Sequence, residues 1–460
     1  MIIKKNRHAT LWWVTGLTII CVTIGTGFYH DLFAKSDETY KGLKIFSDVL
    51  ELVEENYVDQ ADPKELIENA IQGMVHSLDP HSSFLPPDAL EDLKIDTEGE
   101  FIGIGISITI RDNFVTVISP IEGTPAFKAG IKAWDKIIKV DGKPAKDLRE
   151  TVKKIRGPKG TTVGVTIIRE GSPEPIDFKL VRDIIPLESV KSLPLKPGYG
   201  YIWLTHFRDN STEDLEKALE ELESGDIPLK GLVLDLRNNP GGLLPQAIKI
   251  ADLFLEKGNI LSIKGRLKKH TKNFKAHSNK DKRNYPVVIL INGGSASASE
   301  IVAGALQDNK RALILGTTSF GKGSVQSVEM LRDGYGIKLT IARYYTPSGR
   351  SIQAKGIEPD IIVKYRPIDM ENKDENKRGP LKESDLINHL EEEPTGNKNK
   401  NTKTDVKPDS DKSPKTPDAI PGFGKFKLEK LQTDNQVMRA LEILIGHELL
   451  KNAIKQPPAN

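Results

Sequence analysis

The chain has 460 residues, 66 basic and 64 acidic for a formal net charge of +2, and 38% of its residues are hydrophobic. That length exceeds what one core usually holds and predicts two or more domains, while the near-neutral balance gives no reason to expect a nucleic-acid partner. The single cysteine, Cys21, lies in an apolar N-terminal stretch, which excludes an intrachain disulfide and leaves covalent chemistry to Ser, Thr, Lys or a carboxylate.

Residues 11–28 contain no charge, and Lys4, Lys5 and Arg7 precede them. As a helix this stretch spans about 27 Å at ~1.5 Å per residue, enough for a bilayer core. The basic flank puts the N-terminus in the cytoplasm and the rest across the membrane. A cleaved signal peptide is the rival reading, disfavoured because Leu32-Phe33-Ala34 puts a bulky residue where a small one is preferred. Residues 1–34 are therefore read as a cytoplasmic stub and membrane anchor. Residues 35–98 read as a helical region. Leu43, Phe46, Val49, Leu50 and Val53 recur at three- and four-residue steps, as do Leu66, Ile67, Ala70, Ile71 and Met74. Asp62-Pro63 opens the second helix. Leu78 to Pro87 reads as a loop, and His76 and His81 as ordinary loop polarity.

Between residues 99 and 184 short β-branched runs are broken by Gly and Pro. Strands are predicted at Phe101–Ile110, Val115–Ile118, Ile137–Val140 and Val163–Arg169, with helices at Thr124–Ala129 and Asp147–Ile155. Residues 185–366 alternate strands and helices: Tyr201–Leu204, Glu213–Glu223, Gly231–Leu236, Pro245–Phe254, Val287–Ile291, Glu300–Gln307 and Ala312–Leu315. Such alternation predicts an α/β core with parallel strands. Strands at Val325–Met330 and Ile337–Tyr344 flank a hairpin turn. Residues 367–425 are rich in Lys, Glu, Asp and Pro, a composition that predicts a disordered linker. Residues 426–460 return to a helical pattern, with Val437, Leu441, Leu444, Ile445 and Leu449 on one side. This helix is read in two ways, as part of a homo-oligomer contact or as a terminal helix packed on its own body.

The richest stretch is Pro286 to Asp308. A buried strand, Val287–Ile291, leads through Asn292-Gly293-Gly294-Ser295-Ala296-Ser297-Ala298-Ser299 into a helix opening at Glu300. Strand, tight small-residue turn, helix is the arrangement that lifts a serine to the mouth of a sheet. The first helical turn has unpaired N–H groups and a positive dipole end, suited to an oxyanion. A second Gly-rich loop, Gly316 to Gln326, offers one lysine, Lys322. Burial that disfavours its charge would let it serve as a base.

These blocks resemble the C-terminal processing peptidases, also called tail-specific proteases. The matching text is Ile291 to Glu300, Ser319-Phe320-Gly321-Lys322-Gly323-Ser324-Val325-Gln326, Lys338-Leu339-Thr340, Ala342 to Ile352, and Gly356-Ile357-Glu358-Pro359-Asp360. The resemblance implies a crotonase-like α/β serine protease core with an inserted PDZ domain. It makes Ser297 the nucleophile and Lys322 the base, with Gln326 orienting the lysine and Glu300 as a further support. The oxyanion donors it implies are the amide of Ala298 and one from Gly241 or Gly242, in the block Asp235 to Gly242. No metal or cofactor enters this chemistry.

The β-rich module resembles a PDZ domain. Gly103, Ile104, Gly105 and Ile106 match its carboxylate-binding loop and following strand, where a peptide tail adds to an open sheet edge. Arg156 matches a position that couples the module to the protease in some relatives. The implied function is a serine endopeptidase with a Ser-Lys dyad. It would act on exported proteins near their C-terminal tails, from a bacterial inner membrane and facing the periplasm. The alternative is a catalytically inactive membrane-tethered PDZ scaffold. Two motif near-matches fall away. Gly316 to Gly323 lacks the Ser or Thr and the following helix of a phosphate loop, and Ser319-Phe320-Gly321-Lys322 sits between strands rather than at a helix start.

Overall fold

The structure, a computed structural model, describes residues 38–278, 283–366, 382–386, 388–390 and 428–455. The anchor expected at residues 11–28 lies outside the described residues, and so does most of the segment 367–425. Among the described residues no helix is long and apolar enough to cross a membrane. The chain divides into two units, Met1–His76 and Ser77–Asn460.

In the first unit the described residues form two helices, 38–56 and Pro63–His76. Asp62 opens the second by accepting the Lys64 amide at 2.9 Å, the satisfaction of an orphan N–H that an N-cap provides. The helical region expected over 35–98 is thus not one body. From Ser77 onward it belongs to the second unit, where Ser83–Leu85 pairs antiparallel with Gly336–Tyr345. The loop expected at 78–87 therefore contains a strand, and a helix, Pro87–Glu98, follows it.

The PDZ-like module is a sheet in the order Ile106–Arg111, Phe114–Pro120, Lys136–Val140, Thr162–Ile168, Ile176–Val181. Alternation fixes its core: Val163, Val165 and Ile167 point inward from one strand. Asp112 and Asn113, both at positive φ, close the first hairpin. The strand expected over Phe101–Ile110 is two strands, because Gly105 turns left-handed at φ 78°. Its first half, Glu100–Gly103, pairs instead with Asp183–Pro186. The two chain crossings of the module thus hydrogen-bond to each other.

The α/β core is a six-stranded sheet in the order Val190–Lys196, Tyr199–Leu204, Gly231–Asp235, Val287–Ile291, Ala312–Gly316, Ile361–Ile362. Only the first pairing is antiparallel. Helices Ser211–Glu223, Leu244–Asp252 and Ala298–Asp308 cover one face. Val437, Leu441 and Leu444 of the helix Asn435–Lys455 cover the other. Strands covered on both faces read as continuous apolar runs, and every residue of Val287–Ile291 is buried. The expected single tail helix is two, Leu428–Gln432 and Asn435–Lys455, because Asp434 accepts the amides of Gln436 and Val437 and starts a new helix.

Candidate active site

Three loops leave the carboxyl ends of the adjacent parallel strands Gly231–Asp235, Val287–Ile291 and Ala312–Gly316. In open α/β sheets this end is where ligands bind. Side-chain bonds lock the loops together. Ser295 Oγ donates to Leu236 O at 2.8 Å, and Ser299 Oγ to Asn239 O at 2.9 Å. The Phe320 amide donates to Ser295 O at 3.0 Å.

Ser297 sits at the elbow with φ 54° and ψ −112°. A non-glycine residue there is strained, and such strain persists only where surroundings impose it. Here the Ser297 amide is held by Glu300, and Gly241 leaves room for the elbow. A Cβ on Gly241 would lie 2.8 Å from Ser297 Cβ and 2.9 Å from the Ala298 nitrogen. Ala298 opens the helix Ala298–Asp308, so its amide falls among those the helix ladder leaves unused. Gly241's own amide donates to Asn239 Oδ1 at 2.9 Å. Gly242 lies against Phe207, whose carbonyl oxygen a Cβ would approach to 2.3 Å.

Glu300 is fully buried and joins the turn of Ser297 to the loop of Lys322. Its Oε2 accepts the Ser297 amide at 2.8 Å and the Lys322 amide at 2.9 Å. Its Oε1 accepts the Ser319 hydroxyl at 2.6 Å and the Gly321 amide at 2.7 Å. One oxygen atom therefore spans the main chains of Ser297 and Lys322. Burial pushes this carboxyl up to about 7, and the four donated hydrogen bonds oppose that rise.

Burial is also the main cause that lowers the Lys322 ammonium from its ordinary value, helped by the like charge of Lys338. Glu383, Glu300 and Asp79 act in the opposite direction. Tyr344 donates its hydroxyl to the Lys322 carbonyl.

The side-chain amide of Gln326 is engaged within its own strand pair. Its amide donates to Ser324 Oγ at 2.9 Å and to Thr340 Oγ1 at 3.2 Å, and neither bond is to Lys322. The reason lies in the strand pairing. Ser324–Met330 pairs with Gly336–Tyr345, which sets Gln326 opposite Thr340. Thr340 donates to Asp79 Oδ1 at 3.1 Å. Asp79 also accepts the His81 and Ser82 amides and the Ser82 hydroxyl, and these bonds hold its carboxyl below the usual range against the cost of burial.

Sequence reasoning missed Asp79, Lys338, Thr340 and Tyr344. Asp79 carried a signal in Asp79-Pro80-His81-Ser82, an Asp followed by amides and a hydroxyl it can bind locally. Lys338, Thr340 and Tyr344 lie in blocks that resemble the family, but nothing local gives them a role. A further correction concerns residues 382–386, expected within a disordered linker. Glu383 there is fully buried. Both its carboxylate oxygens lie 2.8 Å from His81 Nε2, and Gln353 Nε2 donates to Oε1 at 3.0 Å.

In the PDZ-like module, Ile104 is fully buried, and a Cβ on Gly105 would lie 2.3 Å from Thr124. The carbonyls of Ile104 and Gly105 accept the amides of Ala126 and Ile121. Gly103 ends the strand Glu100–Gly103 and Ile106 begins Ile106–Arg111. Arg156 Nη1 reaches Asp92 Oδ1 at 2.9 Å and its guanidinium lies 5.7 Å from the Phe101 ring centre.

Comparison with known proteins agrees with this layout. Residues 198–363 match peptidase family S41, residues 103–180 match a PDZ domain, and residues 29–89 match the activating protease CtpB N-terminal domain. The chain is 48% identical over 355 residues to a carboxy-terminal-processing protease of Bartonella bacilliformis, covering 75% of this chain and 81% of that protein. It is 38% identical over 334 residues to the carboxy-terminal processing protease CtpB of Bacillus subtilis, covering 71% and 69%. Among solved structures it is similar to a photosystem II D1 C-terminal processing protease, at 33% identity and TM-score 0.41, covering 69% of this chain and 92% of that one. The chain belongs to peptidase family S41, as a serine-type carboxy-terminal processing peptidase that carries a PDZ domain.

Proposed function

We propose that this peptidase works through a Ser297–Lys322 dyad on a crotonase-like core, and that its PDZ domain selects or regulates substrates by their C-terminal tails. The observation that carries the reading is the shared oxygen of Glu300, which draws the main chains of Ser297 and Lys322 together. Neutral Lys322 takes the proton from Ser297 as the serine attacks the scissile carbonyl. The Ala298 amide and one from Gly241 or Gly242 hold the oxyanion. If Gly241 is that donor, its amide leaves Asn239 as substrate enters. The leaving amine takes the proton, an acyl-enzyme forms, and water activated by the same lysine releases it.

Substrates on this reading are exported proteins with apolar C-terminal tails. Residues 11–28 hold the chain in a bacterial inner membrane, with the peptidase facing the periplasm. Coupling between PDZ domain and active site runs from Arg156 to Asp92 on the helix Pro87–Glu98. Leu90 of that helix packs on Gly336, at the start of the strand carrying Lys338 and Thr340. Asp92 is exposed and Arg156 half-buried, so the pair contributes little stability and suits a contact that is made and broken.

Degradation of unfolded casein tests the reading. The wild type should cleave it, and Ser297→Ala and Lys322→Ala should both fall to background while keeping their circular dichroism. Turnover surviving in Lys322→Ala would refute the base assignment. A wild type that leaves casein intact would contradict the dyad reading.

A further inference from the structure

The buried carboxylate of Glu383 has no part in the dyad itself, yet it is bound into the wall of the site. It engages His81 on one side and Gln353 on the other. Gln353, also fully buried, accepts the Gly323 amide at 2.9 Å through its own carbonyl oxygen. The Glu383 amide donates to Phe320 O at 3.2 Å. Residues on both sides of Lys322, Phe320 before it and Gly323 after it, are thus fastened to one short turn, Glu383–Asp385. A buried carboxylate is costly unless each oxygen is occupied, and here a single bridge occupies both while joining the loop of Asp79 to the loop of Lys322.

We propose that Glu383 is a positioning residue for the base loop: it holds His81 and Gln353 in place, and Gln353 in turn fixes the Gly323 amide beside Lys322. This rests on the reading of Lys322 as the general base. The charges facing that lysine come from four directions: Lys338 on the strand Gly336–Tyr345, Asp79 on the N-terminal loop of the unit, Glu300 on the helix behind the nucleophile, and Glu383. Glu383 is one of the three that favour the ammonium form. Removing its charge while keeping its shape should therefore let Lys322 lose its proton at lower pH.

The test uses the full-length protein and a quenched-fluorescence peptide ending in an apolar tail. Values of kcat are referred to the end-point fraction of Ser297 labelled by a fluorophosphonate, so that misfolded protein does not count. Glu383→Gln should lower kcat about tenfold through a loosened base loop, with KM little changed. The ascending limb of its pH profile should move to lower pH. Glu383→Asp, which keeps the charge, should leave the limb in place. A limb that does not move in Glu383→Gln overturns the proposal, as does a kcat deficit that vanishes once the labelled fraction is counted. Lys322→Ala is measured alongside. If it retains turnover, the dyad reading fails; if it is dead and Glu383→Gln behaves as wild type, only the positioning role of Glu383 fails.

Discussion

Glu300 carries more of the site than its place in a first helical turn suggests. Acidic residues are common there because the helix dipole favours them. This one is fully buried and takes four donors, among them the amides of both Ser297 and Lys322. Glu300→Gln turns two acceptor sites into donors facing donors, so the two loops lose their tie. A small misplacement of reacting groups costs about 10²-fold in rate. The kcat of Glu300→Gln, measured with the apolar-tailed peptide, should fall by about that factor, and a wild-type rate would contradict the bridging role. Because burial raises the Glu300 carboxyl to about 7, its protonated form is favoured in the folded protein. Its contribution to folding stability is fully present below its ordinary value and is lost as pH rises through about 7. The tie between the loops needs the ionised form, so it weakens as pH falls through the same range.

How legible these residues were depends on how locally each is specified. Ser297 and Lys322 stand in long Gly-rich blocks, and the turn chemistry of those blocks is written in neighbouring residues. Asp79 meets Thr340, and His81 meets Glu383, across hundreds of intervening residues. No local pattern encodes such contacts. Gln326 is singled out only by the block that resembles the family, and the strand pairing turns its amide toward Thr340.

Elements buried on two faces were the easiest to read. Val287–Ile291 appeared with its true bounds because continuous burial demands a continuous apolar run. The strands Asn259–Gly265 and Lys272–Lys275 escaped notice. The second is the edge of its sheet and begins and ends in lysine, a residue that edge strands use to resist unwanted pairing. The helix Pro87–Glu98 is similarly charged, with Leu90 as its one buried residue. The C-terminal helix was legible as a helix but ambiguous in role. Its apolar side packs on the sheet through Val437, Leu441 and Leu444. Arg237, within the Asp235–Gly242 block, bonds Asp434 at 2.9 Å and Gln436 at 2.7 Å. Leu441→Ala should therefore destabilise the core by about 2–5 kcal/mol, the range for a buried leucine cut to alanine. Urea denaturation reads this as a lower midpoint with an unchanged slope. An unchanged midpoint would mean that the helix is not part of the folded core.

At the scale of the molecule, the Ser77–Asn460 unit stacks three functions along one chain. A parallel sheet presents loops at its carboxyl edge, a β-rich module is inserted through two strands that pair with each other, and a C-terminal helix seals the opposite face. The proposed mechanism requires Lys322 to act as an uncharged amine toward Ser297. The most direct measurement is the rate of Ser297 labelling by a fluorophosphonate as a function of pH, in wild type and in Lys322→Ala. The account predicts a rate that rises with pH to a midpoint below the ordinary lysine value of 10.5, and a rise that disappears in Lys322→Ala. Equal labelling of the two proteins across the pH range would contradict it.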